Sequence, residues 1–79
     1  MTTLTRREYD TLLHFAAGYT DAEIADRLHV SLNTVKTHAK RLIRRMGAHN
    51  RAHVVALGYE LGLLQPGDAD GKRTTGVDR

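Results

Sequence analysis

The sequence predicts an all-α fold of four short helices. Three observations carry that expectation. Two capping boxes, Thr5-x-x-Glu8 and Thr20-x-x-Glu23, each stand just ahead of apolar residues at helical spacing. Gly18, Gly47 and Gly62 fall where those spacings break off, as helix-ending glycines do. No stretch of useful length alternates apolar and polar residues as a half-buried strand would.

Taken in order, the first helix opens at Thr5 and runs to about Ala17, where Gly18 stops it. Its inward stripe is Glu8, Thr11, Leu12, Phe15 and Ala16. A carboxylate on such a stripe is expected to act as a capping or ion-pair partner. The second helix follows Thr20 and turns Ile24, Ala25 and Leu28 inward. "HVS" then makes a turn, and Ser31 is a good N-cap. The third helix runs from about Leu32 to Met46. A fourth amphipathic segment begins at Arg51, reaches about Leu61 and closes at Gly62. On it Val54, Leu57, Gly58 and Leu61 follow the i, i+3, i+4, i+7 stripe and are expected to face the core. The remainder, "QPGDADGKRTTGVDR", offers only Val77 to a core and is expected to be disordered. The expected organisation is therefore one domain over residues 4–64 and a flexible tail over 65–79. A short helix joined to a longer one by a tight turn is the helix-turn-helix arrangement.

The length of 79 residues allows one small domain, whose core is marginal by size alone. There is no Cys, so neither a disulfide nor a thiolate metal site can supplement it, and help from a partner chain is expected. No apolar run approaches the roughly 20 residues of a membrane span. The N-terminus "MTTLTRREYD" has no apolar signal region, which makes a cytoplasmic location the expectation. The net charge is +3, and it is unevenly placed. Between Asp26 and Glu60 there is no acid, while Arg27, Lys36, Lys40, Arg41, Arg44, Arg45 and Arg51 all lie there. Solvated helix faces usually mix both signs. A block of one sign points to an anionic partner, most often nucleic acid and less often a membrane surface.

On the third helix, with Lys36 placed at zero and about 100° added per residue, Val35, Ala39, Leu42 and Met46 fall between about −60° and −120°. That is the buried stripe. Asn33, Lys36, Thr37, Lys40 and Arg44 fall between 0° and about 100°, with Arg41 at about 140°. Lys donates well to guanine O6 and N7, Asn reads adenine, and a Thr methyl contacts the thymine methyl. Arg41, Arg44 and Arg45, further along, suit phosphates. The face has no aromatic side chain, which argues against single-strand binding by base stacking. As a merely solvated face it would set Lys36 against Lys40 and Lys40 against Arg44 as repelling i, i+4 pairs with no Glu between them.

Other chemistry is poorly supported. His49 and His53 are four apart, but His49 precedes the expected helix, and neither Cys nor a nearby acid completes a metal site. Ser31 is the only Ser, and its simplest role is the cap. No acid–base pair, phosphate loop or cofactor motif is present. An enzyme is not expected.

The fragments "LTRRE" at 4–8, "GYTDAEIADRLHVS" at 18–31, "TVKTH" at 34–38, "MG" at 46–47 and "NR…VA" at 50–56 together resemble the LuxR-type helix-turn-helix domain. That domain belongs to the NarL/FixJ and LuxR regulators and to small GerE-like proteins. The resemblance covers residues 4–64, and it is specific because the fragments occur jointly and in order. It implies a four-helix domain whose third helix enters the major groove of double-stranded DNA. It places base contacts on Lys36, Thr37 and Lys40, the face already derived, and backbone phosphate near Asn33 and Thr34. It also implies a symmetric dimer through the fourth helix. There Val55, Tyr59 and Gly62 form a stripe beside the core-facing one, expected to pair weakly and mainly on DNA. Several positions depart from the family pattern: Arg6 replaces a frequent Pro, Thr11 a Val, His14 a Leu, and Ala52-His53 a Thr-Glu pair. Family regulators usually carry a further domain upstream, whereas only three residues precede Leu4 here, so the expectation is either a stand-alone GerE-like protein, which Met1 and the tail favour, or a piece of a larger regulator.

A second function class competes with DNA readout. The same helices could dock on RNA polymerase or on a larger regulator, as in sigma-factor region four, which this pattern also resembles. The "NR…VA…GLL" extension after the third helix fits the LuxR type and not a sigma factor.

Overall fold

The computed structural model describes residues 3–68. It contains α1 (Arg6–Ala17), α2 (Asp21–Leu28), α3 (Leu32–Met46) and α4 (Arg51–Glu60). Both expected capping boxes close. Thr5 Oγ1 accepts from the Glu8 N–H at 3.1 Å while the Thr5 N–H donates to Glu8 Oε1 at 2.9 Å. Thr20 and Glu23 repeat the pattern at 3.2 and 2.8 Å. Each box satisfies donors that a helix start would otherwise leave orphaned. Asn50 caps α4, its Oδ1 accepting from the His53 N–H at 2.8 Å.

The turn between α2 and α3 is three residues, His29 to Ser31. His29 adopts the left-handed conformation, φ 59°, and its N–H reaches back to the carbonyls of Ala25 and Asp26. Val30 N–H donates to the Ala25 carbonyl at 3.0 Å. Ser31 Oγ then accepts from the Thr34 N–H at 3.0 Å and starts α3. Left-handed backbone at a residue other than Gly is uncommon. Here it lets one helix end and the next begin within a single short turn, which sets the angle between them.

α3 packs against each of the other three helices. Val35, Leu42 and Met46 are buried and Ala39 is packed against them, the stripe that the spacing predicts. Leu12 and Phe15 from α1, Ile24 from α2 and Val54 from α4 complete the centre of the core. Thr11 is buried and its hydroxyl donates to the Arg7 carbonyl at 2.9 Å, which leaves no polar debt there.

The C-terminal end of α4 corrects one expectation. Leu61, expected on the core stripe, is 52% exposed. The helix stops at Glu60, and Gly62, with φ 77°, turns the chain back. Leu63 N–H and Leu64 N–H both donate to the Gly58 carbonyl, at 2.8 and 3.1 Å. Leu64 therefore fills the core position assigned to Leu61. A Cβ on Gly58 would lie 2.8 Å from Leu64 Cδ1, so Gly58 is small because the returning chain needs its space. Of the expected tail, residues 65–68 form a turn in which Asp68 Oδ2 accepts from the Gln65 N–H at 2.8 Å. The rest of the tail, 69–79, lies outside the described residues.

Candidate nucleic-acid interface

The face of α3 opposite the core carries Asn33, Lys36, Thr37, Lys40, Arg41 and Arg44, all exposed. Among the described residues, Lys36, Lys40, Arg41 and Arg44 enter no ion pair. The helix's own packing therefore brings Lys36, Thr37 and Lys40 onto one open surface. Leu32, one turn ahead of Lys36, is also exposed and adds an apolar group beside that surface, which helical spacing alone did not single out. Thr34 is less available. It is half-buried, and its hydroxyl lies 2.8 Å from Ser31 Oγ, inside the cap.

Arg45 has an internal partner that the sequence did not specify. Its Nε lies 3.0 Å from both oxygens of the Glu8 carboxylate. Glu8 thus serves twice, as the N3 member of the α1 capping box and as the ion-pair partner of α3. Burial by itself pushes the Glu8 carboxyl up. The Thr5 N–H, the Arg45 guanidinium and the Thr5 hydroxyl outweigh that and hold it below its ordinary value. The Arg45 side chain remains 47% exposed, so the pair lies at the surface edge of the α1–α3 contact.

Two more cations of the acid-free block are used structurally. Arg51 pairs with Asp21 at 2.8 Å, donates to the Tyr19 carbonyl at 3.2 Å and lies 4.0 Å from the Phe15 ring centroid. It fastens the start of α4 to the α1–α2 connection. Arg27 stacks 4.5 Å from the Tyr19 centroid, and its Nε donates to His14 Nε2 at 3.3 Å. Lys36, Lys40, Arg41 and Arg44 are left as the cations of the block without internal partners, and all four are on α3. None of these pairings had a local sequence signal, because the partners are 8 to 37 positions apart.

On α4, Val55 is half-buried against the core, Tyr59 is 38% exposed and Gly62 is exposed. Leu61, displaced from the core, joins Tyr59 and Gly62 on the outside. His49 and His53 stack with ring centroids 4.9 Å apart, and the His49 N–H donates to His53 Nδ1 at 3.0 Å. That bond occupies the Nδ1 lone pair of His53. Among the described residues no group of three or more His, Cys, Asp or Glu could hold a metal ion, and no helix is long and apolar enough to cross a membrane.

Comparison with known proteins agrees with this geometry. Residues 2–57 match the GerE domain, described as "Bacterial regulatory proteins, luxR family". The chain is 36% identical over 62 residues to the response regulator protein VraR of Staphylococcus aureus, and equally so to those of Staphylococcus saprophyticus and Staphylococcus epidermidis. The alignment covers 78% of this chain and 30% of each relative, so the chain spans about 30% of the length of these curated relatives. The first three helices, the tight α2–α3 turn and the first part of α4 thus lie within the matched segment, and the chain belongs to the luxR family of bacterial regulatory proteins, as a helix-turn-helix domain of the DNA-binding, transcription-regulating kind.

Proposed function

We propose that this domain binds double-stranded DNA sequence-specifically, with α3 in the major groove. The observation that carries the proposal is the exposed α3 face, on which Lys36, Thr37 and Lys40 stand together with no acid beside them. Lys36 and Lys40 donate to base-edge acceptors and Thr37 supplies a methyl and a hydroxyl. Asn33, Thr34, Arg41 and Arg44 hold the flanking phosphates. Arg45 contributes the part of its guanidinium that Glu8 leaves open. The free N–H groups at the start of α3 favour a phosphate as well.

Two such domains pair through α4 when bound to adjacent half-sites. Val55, Tyr59 and Gly62 form the contact, and the exposed Leu61 enlarges it. The patch is small against the ~800 Å² per partner of a stable interface, so pairing is weak in solution and depends on DNA to hold the two copies about one helical turn apart.

Selection of bound sequences from random duplex DNA tests the proposal. A short enriched motif, repeated as a palindrome, is the expected result. No enrichment, with retained binding to RNA polymerase, would replace DNA readout by the protein-docking reading.

A further inference from the structure

Between the first half of α1 and the second half of α3 lies a cleft of about 350 Å³, lined by Thr5, Arg7, Glu8, His38, Arg41 and Arg45. A more open one of about 300 Å³ adjoins it, where Arg44 joins Glu8, Arg41 and Arg45. Four guanidinium groups thus face one carboxylate. That carboxylate is already engaged, by the Thr5 N–H and by Arg45 Nε. Arg7 and Arg41 are exposed and enter no ion pair among the described residues. The cleft wall also holds His38, whose Nδ1 is the one buried side-chain nitrogen or oxygen without a hydrogen-bond partner among the described residues. Buried polar atoms are nearly always partnered, so this one marks an incomplete arrangement.

We propose that this cleft is a phosphate site in which Arg7 and Arg41 bind one oxyanion. A planar guanidinium offers two parallel N–H donors, which match two phosphate oxygens, and a pair of guanidiniums outweighs the single engaged carboxylate. A small rotation of the His38 ring gives its orphaned nitrogen a partner at the same oxyanion. The position on α3 fits a phosphate lying beside the bases being read. Arg41, at about 140° from Lys36, stands at the edge of the base-reading face, and His38 and Arg45 lie beyond it at about 160–200°. Arg7 therefore extends the basic surface from α3 onto α1. Two sources supply this chemistry: a backbone phosphate of the DNA flanking the bound site, or a free phosphate group. The first rests on the DNA-binding reading above; the second does not.

The test uses Arg7→Gln, which leaves the Arg7 carbonyl free to accept from Thr11 and does not touch the Glu8–Arg45 pair. Binding is measured against salt on a long duplex carrying the selected site and on a duplex trimmed to the bases read. In parallel, inorganic phosphate is titrated against the chain while the His38 ring and arginine Nε resonances are followed. A backbone source requires that the variant lower the salt slope by about one unit on the long duplex only, with base preference intact. A free-phosphate source requires saturable shifts at Arg7, Arg41 and His38 that the variant loses, with duplex binding unchanged. The proposal fails if the variant keeps the parent's slope on the long duplex and the parent shows no saturable phosphate shift. It also fails if the variant weakens both duplexes equally or changes the preferred base. If the parent binds no duplex at all, the DNA-binding reading is lost, and the phosphate titration still decides the cleft.

Discussion

Glu8→Gln isolates the charge that ties α1 to α3. Gln keeps the capping box, because its amide oxygen still accepts from the Thr5 N–H. What disappears is the negative charge beside Arg45 and near the α1 N-terminus. The Arg45 side chain is about half exposed, so the pair is screened and stabilises by about 0.3–1 kcal/mol. A carboxylate in the first turn adds about 0.3–1 kcal/mol through the helix dipole. The variant should therefore lose about 0.5–2 kcal/mol near neutral pH, read by urea unfolding followed by circular dichroism. The pH dependence has a definite sign. The folded-state value of Glu8 lies below the ordinary 4.5, so its charge stabilises the fold above that pH. The contribution disappears as pH falls through the folded value. Parent and variant should thus converge in acid, because the parent loses this contribution there. A deficit of the same size at pH 7 and at about pH 3 would refute the reasoning, because the loss would then come from packing and not from charge.

The other expected outcomes concern DNA and the α4 end. Lys36→Ala or Lys40→Ala should cost about 1–3 kcal/mol on the selected site and relax preference at one base pair, with unchanged circular dichroism. Equal weakening on selected and random duplex would make these two lysines phosphate contacts instead. Tyr59→Glu should abolish cooperative binding to a two-half-site probe and spare a single half-site; sedimentation showing only monomer on a palindrome, for parent and variant alike, would remove α4 from any dimer. Gly58→Ala should destabilise by up to about 2 kcal/mol, since overpacking against Leu64 costs about 1–3 kcal/mol and helix propensity returns roughly 1 kcal/mol. A variant more stable than the parent would mean that Leu64 does not press on Gly58 as described.

The caps of the first three helices were legible along the chain. Thr5, Thr20 and Ser31 act through bonds that reach only three residues ahead, and such bonds form wherever a short polar side chain precedes a helix-forming run. Asn50 caps α4 by a bond of the same kind, which the sequence reading did not single out. The buried stripe of α3 and its cationic opposite face were also readable, because one helical repeat decides both. Where α4 ends was not. The apolar spacing continued through Leu61, but Gly62 turned the chain and the core took Leu64, a choice that depends on the space left beside Leu12 and Gly58. Nor could the sequence sort its cations. Seven stood in one acid-free block, and only the packed fold drew Arg27 to Tyr19, Arg45 to Glu8 and Arg51 to Asp21. Charge along a chain is one-dimensional, whereas pairing requires two side chains to meet in space. The tertiary structure alone decided that the cations left without internal partners share the outer side of α3, and that Arg7 of α1 borders the same surface.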